Sequence, residues 1–148
     1  MTGETVQVVW FWSIAPLGEW KFPVLMLGYS LIYGAVYILN QLADYETDRR
    51  TPGIWLIAGD RFPKNIAVAE MAVVTVIALG ISFLLKVAPL IFLFTLAVGI
   101  LYSVPPTRFS GRPVLDFVSH AITYCAAGFA LGWAAAGAAL DLNFLKAV

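Results

Sequence analysis

Residues 22–50 read FPVLMLGYSLIYGAVYILNQLADYETDRR. The first part, 22–43, holds no charged residue, and a spanning helix needs about 20 mostly apolar residues. The second part turns polar in a patterned way. Asn40, Asp44 and Asp48 recur at intervals of four, and Arg49 and Arg50 follow at once. On an α-helix, residues four apart differ by about 40° in azimuth and about 6 Å in height. The spacing predicts one ascending polar stripe at the end of an apolar helix. Polar groups at that depth are costly in lipid and usually face a bundle interior or a cavity.

The rest of the chain has the same character. Of its 148 residues 61% are hydrophobic and 12% charged, with a mean hydropathy of +0.85. Soluble domains run at about 45–50% apolar and about 25% charged, and a chain this short has too much surface to hide the excess. The expected class is all-α, a polytopic membrane helical bundle forming a single domain over 1–148. Further spans are expected at 65–85, 88–104 and 114–138, with 6–17 too short to span and read as a partial or interfacial segment. Small residues on the last span, Gly128, Gly132 and Ala136, are expected to let helices approach closely. The formal net charge is zero, which gives no electrostatic case for a nucleic-acid partner. Cys125 is the single cysteine and is read as a packed small hydrophobe.

The connections carry the orientation. Residues 49–64 form a polar loop with an apolar centre; 103–113, with three prolines and a glycine, cannot continue a helix. The join near Lys86–Pro89 is tight and implies an antiparallel pair. Four spans put both longer loops on one side, with Arg49, Arg50, Arg61, Lys64, Arg108 and Arg112, against Lys21, Lys86 and Lys146 on the other. By the positive-inside rule the arginine-rich side is cytoplasmic.

Two carboxylates and an amide on one helix face suit a hard divalent cation. Mg²⁺ keeps several waters and is commonly held by one or two carboxylates plus substrate phosphates. Arginine grips phosphate bidentately and lysine offers a point charge. The plain alternative is a solvated helix end with a weak interfacial ion pair and arginines that only set topology.

NQLADYETD resembles the NxxxDxxxD motif of the UbiA superfamily of intramembrane prenyltransferases. RRTPGIWLIAGDRFP resembles the loop after that motif, and YSVPPTRFSGRPVLD the segment where a tyrosine and basic residues precede the next helix. The resemblance runs over nearly the whole chain. It implies half of a UbiA-type bundle, four to five transmembrane helices around a cavity open to the cytoplasm and to lipid. It implies Mg²⁺-dependent transfer of an isoprenyl group from an isoprenyl diphosphate to a lipid or aromatic acceptor. Asp44 and Asp48 would hold the metal and Asn40 would complete the face, while Tyr102, Arg108, Arg112 and Lys64 would contact the diphosphate. The expected location is a bacterial inner membrane with the aspartate motif facing the cytoplasm. The family carries a second aspartate motif in a later half, which this sequence lacks, so the chain reads as a fragment or a naturally short relative whose own turnover is in question. A second reading is a non-catalytic membrane subunit that keeps the family fold and binds lipid or pigment beside other membrane chains. A transport role has less support, because no span is broken at mid-membrane by proline.

Three further features stand outside the motif. Asp116 and His120 lie one turn apart and are read as a helix-packing hydrogen bond or a proton relay. Glu70 is read as a structural neutraliser of Lys64 or Arg61. Tyr29, Tyr33 and Tyr37 form a second stripe, offset by about 60° from the carboxylates, read as packing or as an aromatic wall beside the same cavity.

Overall fold

In the computed structural model, residues 20–135 are described, except Ile54 and Val87, and Lys21 through its backbone alone. The partial segment at 6–17 lies outside these residues. The described chain is helical: α1 (Lys21–Ala43), α2 (Lys64–Leu85), α3 (Pro89–Ser103) and α4 (Pro113–Ala135), with further short turns at Tyr45–Asp48 and Phe109–Gly111. Helices α1, α2 and α4 are long and apolar enough to cross a membrane.

The third expected span, 88–104, is shorter than the rest. At 15 residues, α3 reaches about 22 Å, below the hydrocarbon thickness of about 30 Å. Its ends explain this. Lys86 and Ala88 both adopt left-handed backbone, which closes the α2–α3 hairpin and seats Pro89 in the first helical turn. At the other end Val104 is extended ahead of two prolines, the conformation a following proline favours.

Helix α1 is the centre of the bundle. It packs along α2 and α3, and Leu25, Tyr29 and Ile32 meet Ala78, Ile91, Phe92, Ala127, Ala130 and Leu131 in one core. Glycines set the closest approaches. A Cβ at Gly28 would stand 3.0 Å from Ile81 Cγ2 of α2, and one at Gly99 would overlap Val36 Cγ2 of α1. Small residues serve this purpose between membrane helices. The sequence pattern assigns the role to α4, and the structure moves it to α1 and α3. A Cβ added at Gly128 or Gly132 would meet nothing within 4 Å, and Ala136 lies outside the described residues.

The outer faces remain apolar: Val73, Val76, Phe83 and Leu84 of α2 are exposed, as lipid-facing positions are. Helix α4 contains a π-helical stretch, Ala121–Ala127. Thr123 and Ala127 point inward there, and Cys125 is exposed. The expected burial of Cys125 is therefore overturned, because α4 packs on one side only and Cys125 falls on the other.

The loop after α1 is a satellite core. Its apolar centre folds back, burying Ile57 and Ala58 against Tyr45 and Ala67. This anchors the polar end of α1.

Candidate active site

The polar stripe survives with a notch. Helix α1 stops at Ala43, and Asp44 takes a non-helical conformation before the turn Tyr45–Asp48. The backbone bonds Asp44 N–H to Asn40 O at 2.9 Å and Asp48 N–H to Asp44 O at 2.8 Å keep the four-residue spacing. Asn40, Asp44 and Asp48 therefore remain one turn apart. The Asn40 amide donates to Asp44 Oδ2 at 3.1 Å.

Arg108 arrives from the loop between α3 and α4. Its Nη2 donates to Asp44 Oδ1 at 2.5 Å and reaches Thr47 Oγ1 at 3.4 Å. Its backbone sits at φ 35°, a left-handed conformation that is uncommon outside glycine. Strain of this kind persists where the surroundings over-determine it. Thr107 and Arg108 both bond back to Val104 O, which fixes the loop while the guanidinium points to the end of α1. The contact places both arginine-bearing loops at one end of the bundle. Asp48 shares this field. Burial and then the negative charge of Asp44 raise its carboxyl above the ordinary 3.8, while Arg108 pulls it down.

The other expected residues are dispersed. The Lys64 ammonium stands 3.1 Å from the centre of the Tyr45 ring, a cation–π contact. Tyr45 also accepts from Arg49 Nη1 at 2.8 Å and donates to Asp60 at 3.3 Å. Lys64 is thus committed to the loop core. Arg112 is exposed at the start of α4. Glu70 is exposed and forms no ion pair among the described residues, so neutralisation of Lys64 or Arg61 is not seen.

Tyr102 belongs to a second group, between the last turn of α3 and the first turns of α4. It donates to Asp116 Oδ1 at 2.8 Å, joining α3 to α4. His120 Nδ1 lies 2.9 Å from Asp116 O and 3.3 Å from Asp116 Oδ1. A hollow of about 50 Å³ opens here, walled by Tyr33 and Val36 of α1, Thr95, Gly99 and Tyr102 of α3, and His120, Thr123 and Tyr124 of α4. Val36 is two turns below Asp44 on α1, so along this helix the hollow begins about 12 Å inward from the nearer carboxylate.

The tyrosine stripe divides. Tyr29 is buried in the core, Tyr33 faces the hollow, and Tyr37 is exposed. Tyr29 and Tyr33 both donate to Thr123 O, at 3.3 and 2.5 Å. Thr123 lies in the π-helical stretch, a feature frequent at functional sites. Sequence reading misses Thr123, because its contribution is a backbone carbonyl. It also misses Tyr45, although that residue sits inside the motif.

A metal fits this donor set. Two carboxylates lie one turn apart, the charge of Asp44 helps raise the Asp48 carboxyl, and Arg108 touches Asp44. Among the described residues no three His, Cys, Asp or Glu side chains gather as a metal-holding group, so Asp44 and Asp48 would share a cation with ligands from outside the chain.

An apolar helical bundle with two carboxylates, an amide and an arginine at one end of its first helix has the form of an intramembrane protein. The sequence matches the UbiA prenyltransferase family over residues 5–147, and the chain belongs to that family. Neither the curated proteins nor the solved structures gave a match.

Proposed function

We propose that Asp44 and Asp48 hold Mg²⁺ against an isoprenyl diphosphate, and that the isoprenyl group passes to an acceptor in the adjoining hollow. The family implies prenyl transfer; the roles of individual residues are our assignment. One observation carries it: Arg108, from a loop 64 residues away, meets Asp44 at the motif end of α1.

The chemistry follows from charge. Diphosphate departs only if its developing negative charge is met by pre-placed positive charge. Bound Mg²⁺ would supply the larger share of that neutralisation. Arg108 supplies a guanidinium suited to phosphate oxygens, and Arg112 on the neighbouring turn adds a second, longer-range cation. Asn40 orients Asp44 by donating to it. The apolar walls, with Val36, Val98 and Gly99, exclude water from an allylic cation. Lys64 and Tyr102 act indirectly in this reading, Lys64 by pinning Tyr45 and Tyr102 by fixing Asp116. The motif end is assigned to the cytoplasmic face from the basic loops.

The test is equilibrium binding of geranyl thiolodiphosphate, a slow-reacting donor, with and without Mg²⁺. Binding is expected to need Mg²⁺ and to be lost in Asp44→Ala and in Asp48→Ala. Full binding by both variants would reject the assignment and favour a non-catalytic membrane subunit.

A further inference from the structure

We infer that Tyr45 and Asp60 form a clamp that holds Arg49 off the carboxylates and so leaves Asp48 open to a cation. The inference rests on the metal reading of Asp44 and Asp48 for its consequence. The clamp itself stands on contacts that need no ligand.

Chain geometry makes Arg49 a competitor. It follows Asp48 directly, at the end of the turn Tyr45–Asp48. Arg108 already pairs with Asp44. A second arginine on Asp48 would leave neither carboxylate of the motif without a cationic partner. Yet Asp48 makes no ion pair among the described residues. Helical spacing gives the first reason. Residues four apart stand over one another, whereas adjacent residues lie about 100° apart. Arg49 therefore stands over Tyr45, and its N–H bonds Tyr45 O at 3.0 Å.

The side chains give the second reason. Arg49 Nη1 donates to the Tyr45 hydroxyl at 2.8 Å, and that hydroxyl donates to Asp60 Oδ1 at 3.3 Å. The phenol accepts from a cation and gives to an anion, so each contact strengthens the other. Arg49 Nη2 lies 3.6 Å from Asp60 Oδ2, which closes the triangle. An exposed ion pair of this kind is weak by itself. The hold comes from the hydroxyl of a tyrosine that is 8% exposed and packed with Ile57, Ala58 and Ala67. Asp60 is presented by the loop: its backbone is left-handed and its N–H bonds Ile57 O at 3.1 Å. Lys64 is the other charged group on Tyr45, and its ammonium takes the ring face, leaving the hydroxyl to Arg49 and Asp60. A phenylalanine would keep the packing and the Lys64 contact and would lose the clamp.

That separation defines the experiment. Mg²⁺ binding to the full chain in micelles is measured by titration calorimetry for wild type, Tyr45→Phe, Arg49→Gln and the double variant. Arg49, once released, competes for Asp48 as an exposed ion pair. Tyr45→Phe should therefore weaken Mg²⁺ binding about two- to fivefold, and the same substitution should change nothing in the Arg49→Gln background. Equal losses in both backgrounds would mark a tyrosine that only supports the fold, and no loss in either would mark an arginine that does not compete. Each result overturns the inference.

A second readout needs no metal. In a chain labelled with ¹⁵N-arginine, the Nη signals missing from Arg49→Gln belong to Arg49. They should report slow rotation about the Cζ–Nη bonds in the wild type and fast rotation in Tyr45→Phe. Fast rotation in the wild type overturns the clamp whatever Mg²⁺ does. A held arginine in a chain that binds no Mg²⁺ would instead reject the metal reading, and with it the role given to the clamp, so the two failures are distinguishable.

Discussion

Arg108→Ala separates an arginine that serves a diphosphate from one that merely pairs with an aspartate. Without ligand, the guanidinium occupies Asp44 Oδ1 and competes with any cation for it. A charged hydrogen bond is worth about 1.5–3 kcal/mol, and an exposed ion pair about 0.2–1 kcal/mol. The Arg108 side chain is 39% exposed and that of Asp44 17%, which places the pair between these limits at about 1.4 kcal/mol, or about tenfold in an equilibrium constant. Removing Arg108 should therefore tighten Mg²⁺ binding, measured alone by titration calorimetry, by about tenfold. The same substitution should weaken Mg²⁺-dependent binding of geranyl thiolodiphosphate by about tenfold or more, since the phosphate loses a charge-assisted partner. Arg108→Lys should fall between, keeping charge and losing the planar fork. The opposite signs are the diagnostic. If Mg²⁺ alone binds Arg108→Ala no better than wild type, the arginine does not guard the carboxylate and the reasoning fails.

Two further outcomes follow from particular contacts. Gly99→Ala should destabilise the bundle by about 1–3 kcal/mol, because the new methyl would press into both methyls of Val36, 2.7 Å from Cγ1 and nearer still to Cγ2, and the χ1 of valine is stiff. Val36→Ala in the same chain should recover most of the loss, as read by unfolding in micelles. The raised carboxyl of Asp48 gives a pH signature: its folded value lies above the 3.8 of a free side chain, so its ionisation costs the ligand-free fold stability. That cost is absent below 3.8, grows as pH rises through the raised value and is full above it. Mg²⁺ needs the ionised form, so binding should release a proton in this window and weaken there on acidification. Calorimetry in two buffers of different ionisation enthalpy reads the proton, and Asp48→Asn should abolish the release.

The sequence by itself determined the class and the place of the polar stripe. Uninterrupted apolar length specifies a membrane helix, because every backbone group must be satisfied within the segment. Four-residue spacing specifies a shared face, because helical geometry is local. These rules reached Asn40, Asp44 and Asp48 through the notch at Asp44, since backbone bonds carry the spacing across it. Tertiary structure decided which distant groups meet them. Lys64 and Arg108 look alike as basic loop residues. One lies on Tyr45 because the apolar loop centre folds back there, and the other reaches Asp44 because Arg108 takes a left-handed backbone after the prolines. Glycine roles divide likewise: Gly99 touches Val36 and Gly132 touches nothing, a matter of which helix lies opposite. The Thr123 carbonyl that receives Tyr29 and Tyr33 was beyond sequence, because a backbone acceptor has no letter.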